Sequence, residues 1–231
     1  MSEAQIVNKD LILEKFNRFY GIIFVGVLVA HFDIPSIPVW PVLLWILKPL
    51  IMTSLGYLFL KVEGPNLDRK GLIFLGAIIA SFLGDVVLLF KGELAFLLGL
   101  AAFLLAQVMY AWVFAQEGSW RVFREIGILF LLGYAVGLIH FLWPHLEPNI
   151  RLPIVMYAAT ISIMGICALS RKSNVSRKSF GWVVIGAFFF ILSDSILALH
   201  RFAIDIPLRQ YSVMATYMLA QYLIIIGYLR R

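Results

Sequence analysis

Apolar runs of about 20 residues alternate along this chain with short polar breaks. Eight such runs can be drawn, over about 16–32, 39–60, 71–90, 93–115, 122–142, 150–169, 179–200 and 209–229. The segments between them are turn-like: "DIPSIP", "KVEGPNLDRK", "KGE", "QEGS", "WPHLEPN", "SRKSNVSRKS" and "AIDIP". Runs of this length, with apolar residues on every face, predict helices that cross a membrane. The pattern therefore predicts an all-α integral membrane protein, one eight-span domain over residues 1–231.

Three positions break the apolar pattern. Asp85 lies in "SFLGDVVLLF" (81–90), Asp194 in "FFFILSDSILAL" (188–199), and Lys48 in the second run. Each ionisable group inside a span costs about 2.5–3.5 kcal/mol on insertion scales, so pairing, hydrogen bonds or water must offset it. At about 1.5 Å per residue, both aspartates fall about 20 Å from the start of their spans, and Lys48 enters the same layer from the other side. Two acids and one base are expected to meet in a polar cavity. The plainer reading is one Lys–Asp pair that glues helices, with the remaining side chain snorkelling.

The aspartates sit in similar surroundings. "GLIFLGAIIASFLGD" parallels "GWVVIGAFFFILSD" with a one-residue gap, and "LLAQVMY" (104–110) parallels "MLAQYLI" (218–224). Spans 3–4 thus resemble spans 7–8, four spans apart and running the same way. This suggests a weak parallel repeat of two four-helix halves, related by an axis along the membrane normal.

Composition supports the membrane reading. The chain is 62% apolar and 14% charged, against about 25% charged in soluble domains, and its mean hydropathy is +0.94. Its charge of +6 is assigned to basic loops facing anionic lipid, and nucleic acid is not an expected partner. Lys and Arg are distributed asymmetrically. Fourteen fall in the N-terminal, 2–3, 4–5, 6–7 and C-terminal segments, whereas Lys91, Arg151, Arg201 and Arg209 fall on the other side. By the positive-inside rule both termini are cytoplasmic. Cys167 alone offers no disulfide framework. The mixed-charge start, Glu3 to Arg18, does not resemble a cleaved signal peptide.

Further polar residues share faces with the aspartates. Ser81 is one turn before Asp85, Ser193 precedes Asp194, and Gln107 and Tyr110, Tyr157 and Thr160, and Tyr217 and Gln221 are spaced as helix neighbours. They are candidate pocket residues, or ordinary interhelical hydrogen bonds. His31, His140, His145 and His200 fall near the outer face, without two ligands on one helix turn, so a zinc-dependent membrane lipid hydrolase is the less favoured alternative. No metal or cofactor is expected. A carboxyl in an apolar cavity tends to keep its proton, and a neighbouring lysine favours an ionised partner, giving one acid and one base. Proton-coupled transporters also use intramembrane acids, and a lipid sensor would bind without turnover.

"KP" in span 2, "SFLGDVVLLF", "GLAAFLLAQVMYAWVF", "GAFFFILSDSILALHRF" and "TYMLAQYLIIIG" resemble signature segments of the YhhN-like lysoplasmalogenase family. The resemblance runs from about Lys48 to Gly227. It implies an eight-span fold and hydrolysis of the vinyl ether of a lysoplasmalogen to a fatty aldehyde and glycerophosphoethanolamine or glycerophosphocholine. Asp85 and Asp194 would then be the catalytic pair. Lys48, Ser81, Gln107, Tyr110, Tyr157, Ser193, Tyr217 and Gln221 would be substrate-binding candidates, and lysolipid and membrane lipids the partners. Many relatives carry His where this chain has Gln107. Either aspartate can be the acid at this stage.

Overall fold

A computed structural model describes residues 3–30, 40–119 and 126–231. Eight long helices are found among them: α1 (Glu3–Ala30), α2 (Trp40–Glu63), α3 (Arg69–Val87), α4 (Glu93–Gln116), α5 (Ile126–Leu142), α6 (Pro148–Ser170), α7 (Arg177–Phe202) and α8 (Arg209–Leu229). All but α1 are long and apolar enough to cross a membrane. His31, Arg121 and Arg124 lie outside the described residues.

The helix ends follow local chemistry. Asp68 caps α3, its side chain accepting from the Gly71 amide at 2.7 Å. Ser176 caps α7 in the same way, accepting from the Ser179 amide at 3.1 Å. The third apolar run was expected to stay helical to residue 90, but α3 ends at Val87 and Leu88–Phe90 turn towards Gly92, whose φ of +121° suits a residue without a Cβ.

α1 begins thirteen residues before the apolar run at 16. From Leu13 onward its apolar positions keep a helical spacing. Leu13, Phe16, Tyr20, Ile23 and Val27 are all buried, and Arg18 pairs with Glu14 one turn earlier at 2.9 Å. The Tyr20 hydroxyl donates to the Met218 carbonyl and the Tyr222 hydroxyl to Asn17, fastening α1 to α8.

α8 is the most enclosed helix, buried from Leu223 to Leu229. It packs most closely against α7, where small residues permit near contact of backbones. A Cβ on Gly186 would lie 2.8 Å from the Ile224 nitrogen, and one on Gly227 would lie 2.8 Å from the Val183 nitrogen. Such approach is the usual packing device where no water drives helices together. The other principal pairings are α3 with α4, α4 with α6, α1 with α2, α2 with α3, α5 with α6, α6 with α7, and α2 with α8.

One end of the bundle carries an ionic clasp. Arg171, counted among the loop cations from sequence, is fully buried. Its guanidinium donates to Glu117 at 2.8 Å and to the Ser179 hydroxyl at 3.0 Å, and it lies over the Phe114 ring. Arg231 forks onto both carboxylate oxygens of Glu63 at 3.0 Å and also pairs with Glu117 at 3.6 Å. The ends of α2, α4, α6 and α8 are thereby tied together. A buried guanidinium is tolerated only with such partners, and a loop-like sequence around it gives no sign that they will converge.

Candidate active site

Asp85 and Asp194 reach the same chamber from α3 and α7. The chamber holds about 670 Å³ and lies towards the end of the bundle opposite the ionic clasp. Lys48, Ser193 and Tyr217 also line it, as do Leu44, Phe103 and Met214. Lys48 forms no direct ion pair with Asp85.

Asp85 is 6% exposed. The Tyr217 hydroxyl of α8 donates to its Oδ2 at 2.7 Å. Behind Tyr217, the Gln221 amide donates to the Ser81 hydroxyl at 3.0 Å and to the Tyr217 oxygen at 3.5 Å, while its Oε1 accepts from the Tyr110 hydroxyl at 2.9 Å. Ser81, Tyr110 and Gln221 have no exposure. They form a buried chain from α3, α4 and α8 that fixes the phenol on the carboxylate. Helix spacing places Ser81 and Asp85 on one face of α3 and Tyr217 and Gln221 on one face of α8.

Asp194 is held by a smaller set. The Tyr157 hydroxyl of α6 donates to its Oδ2 at 2.6 Å, and the Gln107 amide of α4 donates to the same oxygen at 3.1 Å. Gln107 also donates to the Tyr157 oxygen at 2.8 Å, closing a triangle. The Gln107 Oε1 is buried without a partner among the described residues. This chain thus uses an amide to orient the carboxyl. Ser193, next to Asp194, donates to the Val213 carbonyl and ties α7 to α8.

Asp194 also borders a second space. An apolar slot of about 70 Å³ runs between α4, α5, α6 and α7, lined by Leu100, Leu138, Ile139, Ala158 and Ile161 among others, with Tyr157 and Asp194 at its polar end. Leu88, Phe96, Phe103, Asp194 and Leu197 belong to both slot and chamber, so the two adjoin at Asp194. The slot was not anticipated from sequence. Its walls are mostly leucines, isoleucines, alanines and phenylalanines, the same kinds of residue that face lipid.

The candidate residues thus separate into two groups. Lys48, Asp85, Ser193, Asp194 and Tyr217 face the chamber, and Tyr157 faces the slot. Ser81, Gln107, Tyr110 and Gln221 line neither space and hold the facing residues in place. Among the described residues no three His, Cys, Asp or Glu side chains stand together as metal ligands. His145 instead bonds the Phe141 carbonyl, and His200 contacts Asp205 and accepts from the Ile206 amide.

An all-helical, multi-pass membrane protein with a carboxyl pair on a chamber that adjoins an apolar slot is the class defined by this arrangement. The chain belongs to the YhhN family, whose pattern matches residues 43–228. It is 34% identical to lysoplasmalogenase TMEM86B of Homo sapiens over 173 residues, covering 74% of this chain and 70% of that one. It is 29% identical to lysoplasmalogenase TMEM86A of Homo sapiens over 186 residues, 78% of this chain and 71% of that one. A lysoplasmalogenase of Mycobacterium tuberculosis is 28% identical over 166 residues, 70% of this chain and 61% of that one. Across the relatives the matched stretch spans 60% to 71% of their own length. No solved structure matches.

Proposed function

We propose that this chain is a lysoplasmalogenase, hydrolysing the vinyl ether of a lysoplasmalogen to a fatty aldehyde and glycerophosphoethanolamine or glycerophosphocholine. The observation that carries the reading is that Asp194 stands where a polar chamber meets an apolar slot, with Asp85 on the same chamber. An amphiphile seated across that junction has its chain in the slot, its glycerol in the chamber and its ether bond at the carboxyls.

The chemistry needs one acid and one base. Asp194 gives a proton to the vinyl carbon remote from oxygen, and the electrons of the double bond form the new C–H bond. An oxocarbenium ion results, which the Asp85 carboxylate stabilises. Water adds to the carbon attached to oxygen, and a carboxylate takes its proton. The hemiacetal then collapses: its hydroxyl proton leaves, the C–O bond to glycerol breaks, and the alkoxide oxygen is protonated. Asp85 shares the chamber with Lys48, whereas Asp194 stands at the slot, where an ether bond whose chain fills the slot comes to lie. The proton is therefore assigned to Asp194 and the anion to Asp85.

The same reading takes the chain as one eight-span domain, with α1 the eighth crossing and both termini cytoplasmic. The fourteen-to-four split of Lys and Arg supports this direction. Packing supports the two-half repeat. Moving each helix number on by four exchanges α1–α2 with α5–α6, α2–α3 with α6–α7, α3–α4 with α7–α8, and α2–α8 with α6–α4, all of them packed pairs. Each aspartate is also served by the glutamine of the other half, Asp194 directly by Gln107 and Asp85 by Gln221 through Tyr217.

Purified protein in detergent, given lysoplasmalogen, is expected to release aldehyde and glycerophospho-alcohol in equal amounts. A carrier needs a gradient and a sensor does not turn over, so absence of aldehyde in folded protein that binds the lipid contradicts the reading.

A further inference from the structure

The wall of the chamber has an unusual charge inventory. Lys48, Lys91, Arg201 and Arg209 all line it, contributed by α2, the α3–α4 turn, the end of α7 and the start of α8. The end of the bundle opposite the ionic clasp is poor in cations; besides these it has Arg151, which lies over the Trp143 ring and donates to the Leu146 carbonyl. Lys91, Arg201 and Arg209, three of the four cations beyond the spans at this end, therefore converge on one opening, with Lys48 deeper beside Asp85.

Lys48 shares the chamber with Asp85 without pairing with it, and Lys91, Arg201 and Arg209 are in no ion pair among the described residues, although Glu93 and the two aspartates line the same space. Arg201 is braced instead by the ring of Phe96, 5.1 Å from its guanidinium carbon, and Phe96 belongs to the chamber too. Arg209 is the first residue of α8, so the positive end of that helix adds to its charge. Guanidinium groups held at an opening, with a lysine within, supply the N–H donors that the oxygens of a phosphate accept.

We infer that the chamber mouth is a phosphate subsite, in which Arg201 and Arg209 bind the phosphodiester of the lysolipid and Lys48 completes the positive wall towards Asp85. This rests on the proposed lysolipid substrate and names the part of it that gives the orientation. With phosphate at the arginines and chain in the slot, the ether bond between them falls at Asp194. The subsite sets which lipids enter: one phosphate beside glycerol is admitted, whereas a neutral alkenylglycerol lacks the anchor.

The test is binding without turnover. A lysophosphatidylcholine with a saturated ether cannot be cleaved by protonation, and the matching alkylglycerol differs only by lacking phosphate and head group. In detergent, the wild-type protein is expected to bind the first about ten- to a hundredfold more tightly. R201Q and R209Q are each expected to lose about tenfold in affinity for the phospholipid, with alkylglycerol binding unchanged. Competition by millimolar inorganic phosphate would extend the subsite to phosphate from any source. No competition, with the lipid preference intact, would restrict it to the lipid-borne group, and both results support the subsite. Equal affinity for the two lipids, or equal losses for both in the variants, overturns it. Neither ligand needs catalysis, so a failure of aldehyde release in the wild type would reject the enzymatic reading while leaving this result readable.

Discussion

Asp85 and Asp194 occupy matching places in two similar stretches of sequence and different places in the fold. Asp85 is nearly sealed by α3, α4 and α8, held by Tyr217 at the end of a buried chain through Gln221, Ser81 and Tyr110, and it shares the chamber with Lys48 of α2. Asp194 is more open, held by Tyr157 of α6 and Gln107 of α4, and it borders both the chamber and the apolar slot. α2 thus places a cation on the chamber beside Asp85, whereas α6 gives Asp194 a phenol. On the proposed reading a duplicated frame delivers two carboxyls to one space, and the residues that differ around them give them different duties.

The variants that separate these duties can be ranked. Asp194→Asn removes the proposed proton donor and is expected to cut the rate of aldehyde release about a thousandfold. Asp85→Asn leaves the donor and removes the charge that steadies the cation, so a smaller loss of about a hundredfold is expected. The reverse order in a steady-state assay at saturating lipid would exchange the two assignments. Tyr157→Phe and Tyr217→Phe each remove one hydrogen bond to a carboxyl group, and losses of about tenfold or somewhat more are expected in each. The effect at Tyr157 should be the larger, because Tyr217 belongs to a chain that still packs around Asp85. Smallest is Ala158→Phe, which fills the slot and touches neither carboxyl. It is expected to raise KM several-fold for long-chain substrates and little for short ones, read from a chain-length series. A uniform loss at every chain length would detach the slot from the substrate chain.

Much of this arrangement was legible in the sequence, and for a physical reason. Lipid leaves little freedom to a run of 20 apolar residues, so α2 to α8 appear close to their expected bounds. A carboxyl at the middle of such a run has few places to go except a shared interior, and Asp85, Asp194 and Lys48 do line one chamber. The spacing of Tyr217 and Gln221 on α8 likewise marked a face that the structure uses.

The rest depended on contacts that no spacing encodes. Gln107 and Gln221 stand in matching Leu-Ala-Gln contexts, yet one bonds an aspartate directly and the other acts through a tyrosine. Tyr157 lies 37 residues from Asp194 and 50 from Gln107, so their triangle required the packing of α4 and α6 against α7. Arg171 reads as one more basic loop residue until Glu117 and Ser179 close around it. The slot is a gap between side chains of ordinary kind and leaves no mark in composition.

Protonation of carbon is the step on which the account depends, and solvent deuterium reports it directly. Lysoplasmalogen hydrolysed in deuterated water, with the aldehyde reduced as it forms so that later exchange is blocked, can be examined by mass spectrometry. One deuterium on the carbon next to the former carbonyl is the predicted result. An aldehyde product carrying no deuterium at that carbon would contradict a carboxylic acid acting on the vinyl ether.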